Sequence, residues 1–328
     1  MTHPLPPLLA VRNLCVLFDR HDGPMTAVHD VSFELGAGEI LGLVGESGAG
    51  KSLTSMAIAG LVDFPGRISA TAIELGGRRI DHLAPQALRH VRGREIGVIF
   101  QDPLTSLDPL FTIGDQLVET IRVHLPLTAA QAQRRALDLL RQVGIAAPEQ
   151  RIGHYPHQLS GGMRQRVVIA LALCAEPKLL IADEPTTALD VSIQAQIMML
   201  LRKLCRENGI AIILVTHDMG VIAETADRVA VMYAGRIVEI GRTADIIQRP
   251  CHPYTRGLIG AIPRIGHRRR RLVQIEGAMP RPPFAHAGCA FAARCGKADA
   301  YCRSTVPALV QTAAQQAACF HLEMEALP

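Results

Sequence analysis

The sequence contains no tryptophan, and aromatic residues make up only 4% of its 328 residues. The stacked aromatic platforms on which many proteins bind single-stranded nucleic acid are therefore not expected. Neither sign of charge is in excess, because 34 basic and 30 acidic residues leave a net charge of +4. That value is too small to indicate a nucleic-acid partner by itself. The longest apolar runs, such as residues 167–175, fall far short of the roughly 20 residues that span a bilayer.

The N-terminal residues also lack the charged start and apolar run of a signal peptide. We therefore expect a cytoplasmic protein whose link to any membrane goes through a partner. An apolar fraction of 48% with 20% charged residues predicts a globular chain, and its length suits one large domain and a smaller one. Its eight cysteines are expected to be free thiols or metal ligands rather than disulfides.

The most specific motif is a glycine-rich stretch between an apolar strand predicted over 39–44 and a helix predicted over 53–61. It matches the phosphate-binding loop pattern and consists of Gly45, Glu46, Ser47, Gly48, Ala49, Gly50, Lys51 and Ser52. Glycines let the backbone aim its N–H groups at an anion, and the helix N-terminus adds its positive dipole. In this interpretation Lys51 binds the β- and γ-phosphates and Ser52 holds Mg²⁺. The alternative is a glycine-rich turn with an incidental lysine.

Two carboxylates end a second apolar strand, which is predicted over 179–182. Asp183 can complete the Mg²⁺ coordination shell, and Glu184 can polarise the attacking water. A solvated acidic turn at a strand end is the structural alternative. With the phosphate loop upstream, the two carboxylates predict hydrolysis of a nucleoside triphosphate by in-line attack of water on the γ-phosphate.

Hydrophobic periodicity predicts an α/β fold that begins with a β-rich segment. Further strands are predicted over residues 9–17, 27–35, 71–75, 96–100, 210–215, 229–233 and 236–240. A helical block over 115–143, in which Thr128 is the expected N-cap of the second helix, reads as an inserted subdomain. Another helix, with apolar residues between Ile193 and Leu204, should end near Asn208 and Gly209.

A second glycine-rich turn, at Ser160, Gly161 and Gly162, leads into an apolar helix and forms another anion site. Here the sequence resembles the ATP-binding cassette (ABC) family, because residues 160–165 match that family's signature motif. The resemblance implies a P-loop NTPase fold with a β-rich N-terminal subdomain, an inserted helical subdomain at about 102–175, and a head-to-tail pair of subunits. Ser160, Gly161, Gly162 and Gln165 would then close over the ATP held by the other subunit's phosphate loop.

The same resemblance implies roles for four further positions. Gln101 corresponds to the glutamine that senses Mg²⁺ and the attacking water, and Asp190, within residues 188–190, corresponds to the loop at the dimer seam. His217, which follows a predicted strand, corresponds to the switch histidine that contacts the γ-phosphate. Phe18 is the candidate for stacking on adenine, with a position in the core as the alternative.

The C-terminal part narrows the resemblance to the ATP-binding subunits of dipeptide and oligopeptide importers. Residues 252–255 read His-Pro-Tyr-Thr, as in the extension of that subfamily, so we expect a cassette over 8–250 and an extension over 251–328. The resemblance implies a peripheral subunit on the cytoplasmic face of the inner membrane, with a second, related ATPase, two permease subunits and an extracytoplasmic solute-binding protein as partners. Some members of the subfamily serve nickel or other small solutes.

Four cysteines fall close together in the extension, at Cys289, Cys295, Cys302 and Cys319. Four thiolates can saturate a tetrahedral Zn²⁺ or hold an iron–sulfur cluster. The short knuckle spacing usual for zinc is absent here, and the resemblance implies a 4Fe–4S cluster. Unliganded thiols in a small core are the third alternative, while Cys251 is an adventitious fifth candidate.

Two features bear on a function of another class, that of an ABC-type ATPase acting on ribosomes or nucleic acid. Such a protein would carry an extended basic face, whereas the charge of this chain is spread and nearly balanced. The one dense basic run, Arg268–Arg271, can contact anionic lipid or form a solvated linker. The sequence therefore favours the importer ATPase.

Overall fold

The computed structural model describes residues 6–21, 23–187, 189–262, 274–280 and 287–322. Ala188 and the basic run Arg268–Arg271 lie outside the described residues. The chain divides into two compact units. One, here called the helical unit, comprises the described residues of Met1–Leu8, Gly36–Glu39 and His82–Leu214. The other, here called the phosphate-loop unit, comprises those of Leu9–Leu35, Ile40–Asp81 and Val215–Pro328.

The strands are numbered along the chain. They are β1 (Leu9–Phe18), β2 (Met25–Leu35), β3 (Ile40–Val44), β4 (Gly66–Ser69), β5 (Ala72–Leu75), β6 (Arg78–Arg79), β7 (Ile96–Ile99), β8 (Leu179–Asp183), β9 (Ala211–Thr216), β10 (Arg228–Tyr233), β11 (Arg236–Arg242), β12 (Val310–Gln311) and β13 (Gln315–Ala317).

The helices are numbered in the same way, and 3₁₀ turns occupy Pro156–Gln158 and Ala292–Arg294. They are α1 (Lys51–Ile58), α2 (Pro85–Arg94), α3 (Ile113–His124), α4 (Ala129–Gln142), α5 (Pro148–Arg151), α6 (Gly161–Ala172), α7 (Val191–Asn208), α8 (Met219–Thr225), α9 (Thr243–Gln248), α10 (Pro253–Gly260) and α11 (Ala300–Ser304).

An antiparallel sheet forms the β-rich part of the phosphate-loop unit. Its strand order is β2-β1-β5-β6, and β4 pairs with the end of β1. Alternate residues of β2 are buried, including Val31, Phe33 and Leu35. This two-residue period, visible in the sequence, is that of a strand with one face on a core.

The same unit holds the strand that leads into the phosphate loop. All five residues of β3 are buried, and β3 pairs in parallel with β10, as Gly42 lies opposite Val229. β10 forms an antiparallel hairpin with β11, and β11 pairs in turn with β13 of the C-terminal segment. The C-terminal segment thus continues the sheet that carries the phosphate loop.

In the helical unit, β7 and β8 run in parallel with Val98 opposite Ile181. β8 is entirely buried, as expected of a parallel strand covered on both faces. Helices α3 to α6 fall within the predicted insert, and α3 and α4 pack against each other and against α6. The Thr128 hydroxyl accepts a hydrogen bond from the Gln131 N–H, which confirms the predicted N-cap.

The predicted boundaries hold to within a few residues. α7 ends at Asn208 and is followed by Gly209 in the left-handed conformation, as the C-cap signal predicted. The α/β fold class with its β-rich and helical parts is confirmed. Short elements such as β4, β6 and α2 were not predicted, because runs of two to ten mostly exposed residues carry little periodic signal. Among the described residues, no helix is both long and apolar enough to cross a membrane.

Candidate functional site

The phosphate loop places a helix N-terminus at the end of a buried strand. Helix α1 begins at Lys51, and its N-cap is Gly50 in the left-handed conformation, with no side chain capping the first turn. The first N–H groups of the helix are therefore not bonded to an N-cap side chain. Together with the helix dipole, they form a site suited to a phosphate.

Two glycines of this loop are required by close backbone packing. A Cβ on Gly45 would lie 2.3 Å from the carbonyl oxygen of Met232, and Gly50 has a φ of +99°. The turn between β10 and β11 braces the loop, because the Gly235 N–H donates to the Ala49 carbonyl oxygen at 2.9 Å. The glycines thus allow the loop to pack tightly against the hairpin behind it.

The ammonium group of Lys51 is held by the loop itself. It donates to the carbonyl oxygens of Gly45 at 2.9 Å and Glu46 at 3.0 Å, and the residue is only 5% exposed. Ser52, the next residue, is exposed. The lysine is therefore fixed in position within the loop that it is expected to serve.

In the helical unit, the parallel pairing of β7 and β8 brings two predicted site residues together. Gln101 follows β7 and Glu184 follows β8, and the Gln101 amide donates to a Glu184 carboxylate oxygen at 2.9 Å. The hydroxyl of Thr187 donates to the same oxygen, also at 2.9 Å. Asp183, the last residue of β8, is buried. Asp183 and Glu184 thus place two carboxylates at the end of β8, where Gln101 and Thr187 hold the Glu184 carboxylate.

Glu184 adopts an unusual backbone conformation, with a φ of +46°. Residues other than glycine seldom take this left-handed conformation, and such residues cluster at functional sites. Immediately after a strand, it redirects the chain so that the glutamate side chain meets Gln101 and Thr187. The strained position supports a chemical role for Glu184 rather than that of a solvated turn residue.

The signature turn begins helix α6 within the helical unit. Ser160 is the N-cap, and its hydroxyl accepts the Met163 N–H at 3.4 Å. Gly161 is exposed. A Cβ on Gly162 would lie 2.8 Å from the Cγ2 atom of Ile193. Gly162 therefore lets the start of α6 pack closely on the start of α7, while Gly161 faces solvent.

Two other predicted binding residues of this unit, Gln165 and Asp190, differ in their exposure to solvent. Gln165 is 1% exposed, and its amide nitrogen has no hydrogen-bond partner among the described residues. Asp190 caps α7 by accepting the Ile193 N–H at 2.9 Å, and the hydrogen bond from Ser192 lowers the pKa of its carboxyl. Gln165 is thus buried in the fold, while Asp190 is exposed at the surface.

The remaining predicted nucleotide residues lie in the phosphate-loop unit. His217 is exposed directly after β9, and the next residue, Asp218, caps α8 by accepting the Gly220 N–H at 2.7 Å. Phe18 ends β1 and is half-buried opposite Gly66, where an added Cβ would lie 2.9 Å from the Phe18 ring. The roles of both residues in nucleotide binding stay predictions.

The His-Pro-Tyr-Thr motif is built around a buried carboxylate. Glu239, which is 0% exposed, accepts hydrogen bonds from the N–H groups of Cys251 at 2.6 Å and His252 at 3.0 Å. The Gln315 amide donates to it at 2.6 Å. Burial raises the pKa of the Glu239 carboxyl, against the opposing effect of the hydrogen bonds from the backbone of Cys251 and His252. Glu239 thus joins β11, the start of α10 and β13.

The four clustered cysteines line one small cavity of about 20 Å³ together with the apolar side chains of Phe291, Pro307 and Phe320. All are free thiols. Burial raises the pKa of Cys289, Cys302 and Cys319, the last to about 11. Unliganded, these thiols therefore keep their protons at neutral pH. Cys251 is engaged elsewhere, since its sulfur accepts a hydrogen bond from the Gln315 amide.

Two protein-family models match this chain, one over the phosphate loop and signature turn and the other over the C-terminal region. The family model described as ABC transporter matches residues 28–187, and the model described as Oligopeptide/dipeptide transporter, C-terminal region, matches residues 238–302. The dipeptide transport ATP-binding protein DppD of Haemophilus influenzae is 46% identical over 312 residues, which cover 95% of this chain and 94% of that protein. The chain belongs to the family of dipeptide and oligopeptide ABC transporter ATP-binding proteins.

A second relative and a solved structure also match this chain. The oligopeptide transport ATP-binding protein AppD of Bacillus subtilis is also 46% identical, over 97% of this chain and 98% of that protein. A solved dimeric structure of the ATP-binding cassette MJ0796, described as bound to ADP and Pi, matches with a TM-score of 0.64 and 28% identity over 72% of this chain and 98% of that one. The predicted family and the predicted ATPase activity are confirmed.

Within this ABC transporter ATPase, sequence reasoning missed three residues that contact the predicted site. Thr187 holds Glu184, while Tyr254 and Arg294 both bond to Glu46 of the phosphate loop. A threonine three residues after the glutamate is a usable local signal. The contacts of Tyr254 and Arg294 span 208 and 248 residues of sequence, so no local pattern could have revealed them.

Proposed function

We propose that this ATPase energises the import of dipeptides and oligopeptides through a membrane permease. The full-length likeness to dipeptide and oligopeptide transport proteins carries the proposal. The match in the C-terminal region supports it, because the motif that distinguishes this family is built here on the buried Glu239. The transported solute is proposed to be bound by other subunits. The peptide specificity is therefore inferred from the likeness to those relatives and not from a pocket of this chain.

In the proposed mechanism, the phosphate loop binds the β- and γ-phosphates of ATP. Lys51 offsets their charge, and the N-terminus of α1 adds N–H donors and the positive end of the helix dipole. Ser52, Asp183 and Gln101 would supply oxygen ligands for Mg²⁺, which would neutralise phosphate charge. Glu184, held by Gln101 and Thr187, orients the water that attacks the γ-phosphate, and His217 senses that phosphate.

The signature turn is proposed to complete the nucleotide site of a second subunit. Ser160, Gly161 and Gly162 start α6 with exposed or half-exposed residues at a helix N-terminus, which suits them to a phosphate. The dimeric form of the related cassette MJ0796 supports this arrangement. A related ATPase or a second copy of this chain is the proposed partner, with Asp190 at the seam.

The segment that follows Gln101 is proposed to contact the permease at the cytoplasmic face of the membrane. It exposes large apolar side chains, with Leu104 at 59%, Leu110 at 79% and Phe111 at 53% exposure. Such side chains on one short stretch are typical of an interaction site. Association with the membrane through these residues would need no spanning helix in this chain.

The four-cysteine cavity is proposed to hold a 4Fe–4S cluster. Its apolar lining and its free thiols fit a thiolate-bound group. A single zinc ion with four sulfur ligands at about 2.3 Å would require the sulfurs to lie within about 4 Å of one another. Among the described residues, Asp299, Cys302 and His321 present ligand atoms within 4.8 Å of one another, which makes this trio the competing zinc site.

Transport assays in cells that lack this chain test the proposed function. The wild-type chain and a surface control, Glu207→Gln, are expected to restore uptake of a labelled dipeptide, whereas Glu184→Gln is not. Labelled nickel is offered in parallel. Restored nickel uptake without peptide uptake would point to another solute, and recovery of the chain with ribosomes rather than membranes would contradict the importer function.

Metal analysis of anaerobically purified protein tests the cysteine site. A brown protein with iron and sulfide that becomes colourless in Cys289→Ser is expected, with His321→Ala keeping its iron. Stoichiometric zinc that is lost in His321→Ala and kept in Cys289→Ser would instead assign the metal to the Asp299, Cys302 and His321 group.

A further inference from the structure

The phosphate loop contains an acidic residue, Glu46, at a place where a polyphosphate is expected to bind. A carboxylate beside a bound anion repels it unless a cation neutralises the carboxylate. Glu46 is followed by four further loop residues and Lys51. The partners of Glu46 therefore affect how well the loop can accept an anion.

That neutralising cation comes from the C-terminal extension. Arg294 donates from Nη1 to a carboxylate oxygen of Glu46 at 2.9 Å, with the two side chains only 7% and 27% exposed. An ion pair this sheltered is weakly screened by salt. Removal of one partner of such a pair leaves the other as an uncompensated, largely buried charge.

Arg294 is itself fixed by further contacts of the same unit. Its Nε donates to the carbonyl oxygen of Glu276 at 2.8 Å, and its Nη2 donates to that of Ile275 at 3.4 Å. Its guanidinium carbon lies 5.8 Å from the centre of the Tyr233 ring. Four contacts in different directions leave the guanidinium a single orientation, with one arm directed at Glu46.

A second residue of the extension grips the backbone at the same position. The Tyr254 hydroxyl, on a side chain that is 0% exposed, accepts the Glu46 N–H at 2.9 Å. Tyr254 is the tyrosine of the His-Pro-Tyr-Thr motif. Both the side chain and the backbone of Glu46 are therefore held by the extension.

The position of Glu46 also bears on the lysine of the loop. The Lys51 ammonium group donates to the carbonyl oxygens of Gly45 and Glu46, so a displacement of Glu46 moves two of its acceptors. Arg294 directly precedes Cys295, which belongs to the cavity lined by Cys289, Cys295, Cys302 and Cys319, here called the cysteine module. The contacts form a continuous path from that module through Arg294 and Glu46 to Lys51.

We propose that Arg294 is a positioning residue for the phosphate loop, which it prepares for ATP by neutralising and anchoring Glu46. This inference rests on the proposed role of the loop as the ATP site. It gives the C-terminal extension a direct influence on nucleotide affinity. Tyr254 supports the same anchor from the backbone side.

Nucleotide binding by the full-length chain tests the proposal in a double-mutant cycle. Arg294→Met keeps most of the side-chain volume and removes the charge, so the dissociation constant for MgATP is expected to rise about tenfold. Glu46→Gln removes the repelling carboxylate and is expected to tighten binding two- to threefold. The double variant Arg294→Met with Glu46→Gln should recover most of the loss.

The double variant separates positioning from simple structural damage. If Arg294 only packs the extension, the double variant will bind as weakly as Arg294→Met, and the proposal is wrong. Wild-type affinity in Arg294→Met would overturn it as well. Arg303→Met, which removes an exposed arginine of the same extension, is the matched control and should bind like wild type.

Lys51→Ala distinguishes failure of this inference from failure of the proposed site. Loss of MgATP binding in Lys51→Ala together with unchanged binding in Arg294→Met would remove the inference and leave the site in place. Unchanged binding in Lys51→Ala would show that the loop is not the ATP site, and both proposals would fall together.

Discussion

The side-chain amide of Gln101 donates a hydrogen bond of 2.9 Å to the carboxylate of Glu184. Each residue follows one of two paired parallel strands, so the register of β7 and β8 determines that they meet. The amide holds the carboxylate in one orientation and offers it a donor. A carboxylate held in one orientation is suited to act as a base on a water molecule beside it.

Replacement of Glu184 by Gln is expected to abolish turnover and preserve nucleotide binding. The amide keeps the shape and tolerates the same backbone conformation, but it cannot draw a proton from water. We expect phosphate release to fall at least about 100-fold, in line with the usual contribution of a general base. Phosphate release and MgATP affinity are measured side by side, with Glu207→Gln as a control. Turnover within a few-fold of wild type would exclude Glu184 from this role.

Thr187→Val is expected to weaken catalysis without weakening nucleotide affinity. Valine matches the shape of threonine but removes the hydroxyl that donates to Glu184 at 2.9 Å, so the carboxylate loses this donor. The expected decrease in kcat is about three- to tenfold. This corresponds to part of the free energy that a hydrogen bond to a charged group contributes. Thr187→Ser retains the hydroxyl and should retain activity. Equal activities for the valine and serine variants would argue against the contact.

The two signature glycines are expected to differ in their tolerance of a methyl group. In Gly162→Ala the new Cβ would lie 2.8 Å from Ile193, whereas in Gly161→Ala the nearest atom, of Leu189, lies 3.5 Å away. Overpacking of this kind costs about 1–3 kcal/mol, while the second substitution should change the free energy of unfolding by less than about 0.5 kcal/mol. Urea unfolding of the two variants gives the comparison. Similar stabilities would contradict the close packing of α6 on α7.

A buried histidine is expected to make the protein sensitive to mild acid. Burial lowers the pKa of His252 from 6.5 to about 3, and its Nδ1 accepts the Tyr254 N–H at 3.0 Å. Because the unfolded chain binds the proton more tightly, the stabilisation is complete above pH 6.5 and decreases as the pH falls toward 3. This residue alone should cost about 2 kcal/mol of unfolding free energy between pH 7.5 and pH 5.

The variant His252→Asn isolates this effect, because asparagine can cap α10 and does not titrate. Urea unfolding at the two pH values should show a shallower decrease for His252→Asn than for wild type, since all other titrating groups are common to both. The exposed His82→Asn serves as control and should follow wild type. Identical slopes for wild type and His252→Asn would remove His252 as the acid-sensitive group.

Local sequence patterns were sufficient for the elements that carry the site. The apolar runs of β3 and β8, the glycines of the phosphate loop and the cap at Thr128 are each specified within a few residues. Such signals arise from backbone geometry and burial, which a short segment determines largely by itself.

Partners that are distant in sequence could not be predicted in the same way. The pairing of Glu46 with Arg294 joins residues that are 248 positions apart, and no local pattern at either residue indicates the other. Gln165 shows that a local motif does not predict burial. Its place in the signature motif predicted contact with a nucleotide, whereas the residue is only 1% exposed. A motif identifies residues, but the surrounding packing decides which of them reach the surface.

The pairing of β13 with β11 limits where this chain can be shortened. A chain that ended near residue 250 would leave β11 as an open sheet edge from Glu239 to Gly241, and unpaired edges invite association with other chains. It would also strip the buried Glu239 of the donors from Cys251, His252 and Gln315. Truncated forms and fusions that keep only the cassette should therefore aggregate during expression, and limited proteolysis of the intact protein should spare this junction.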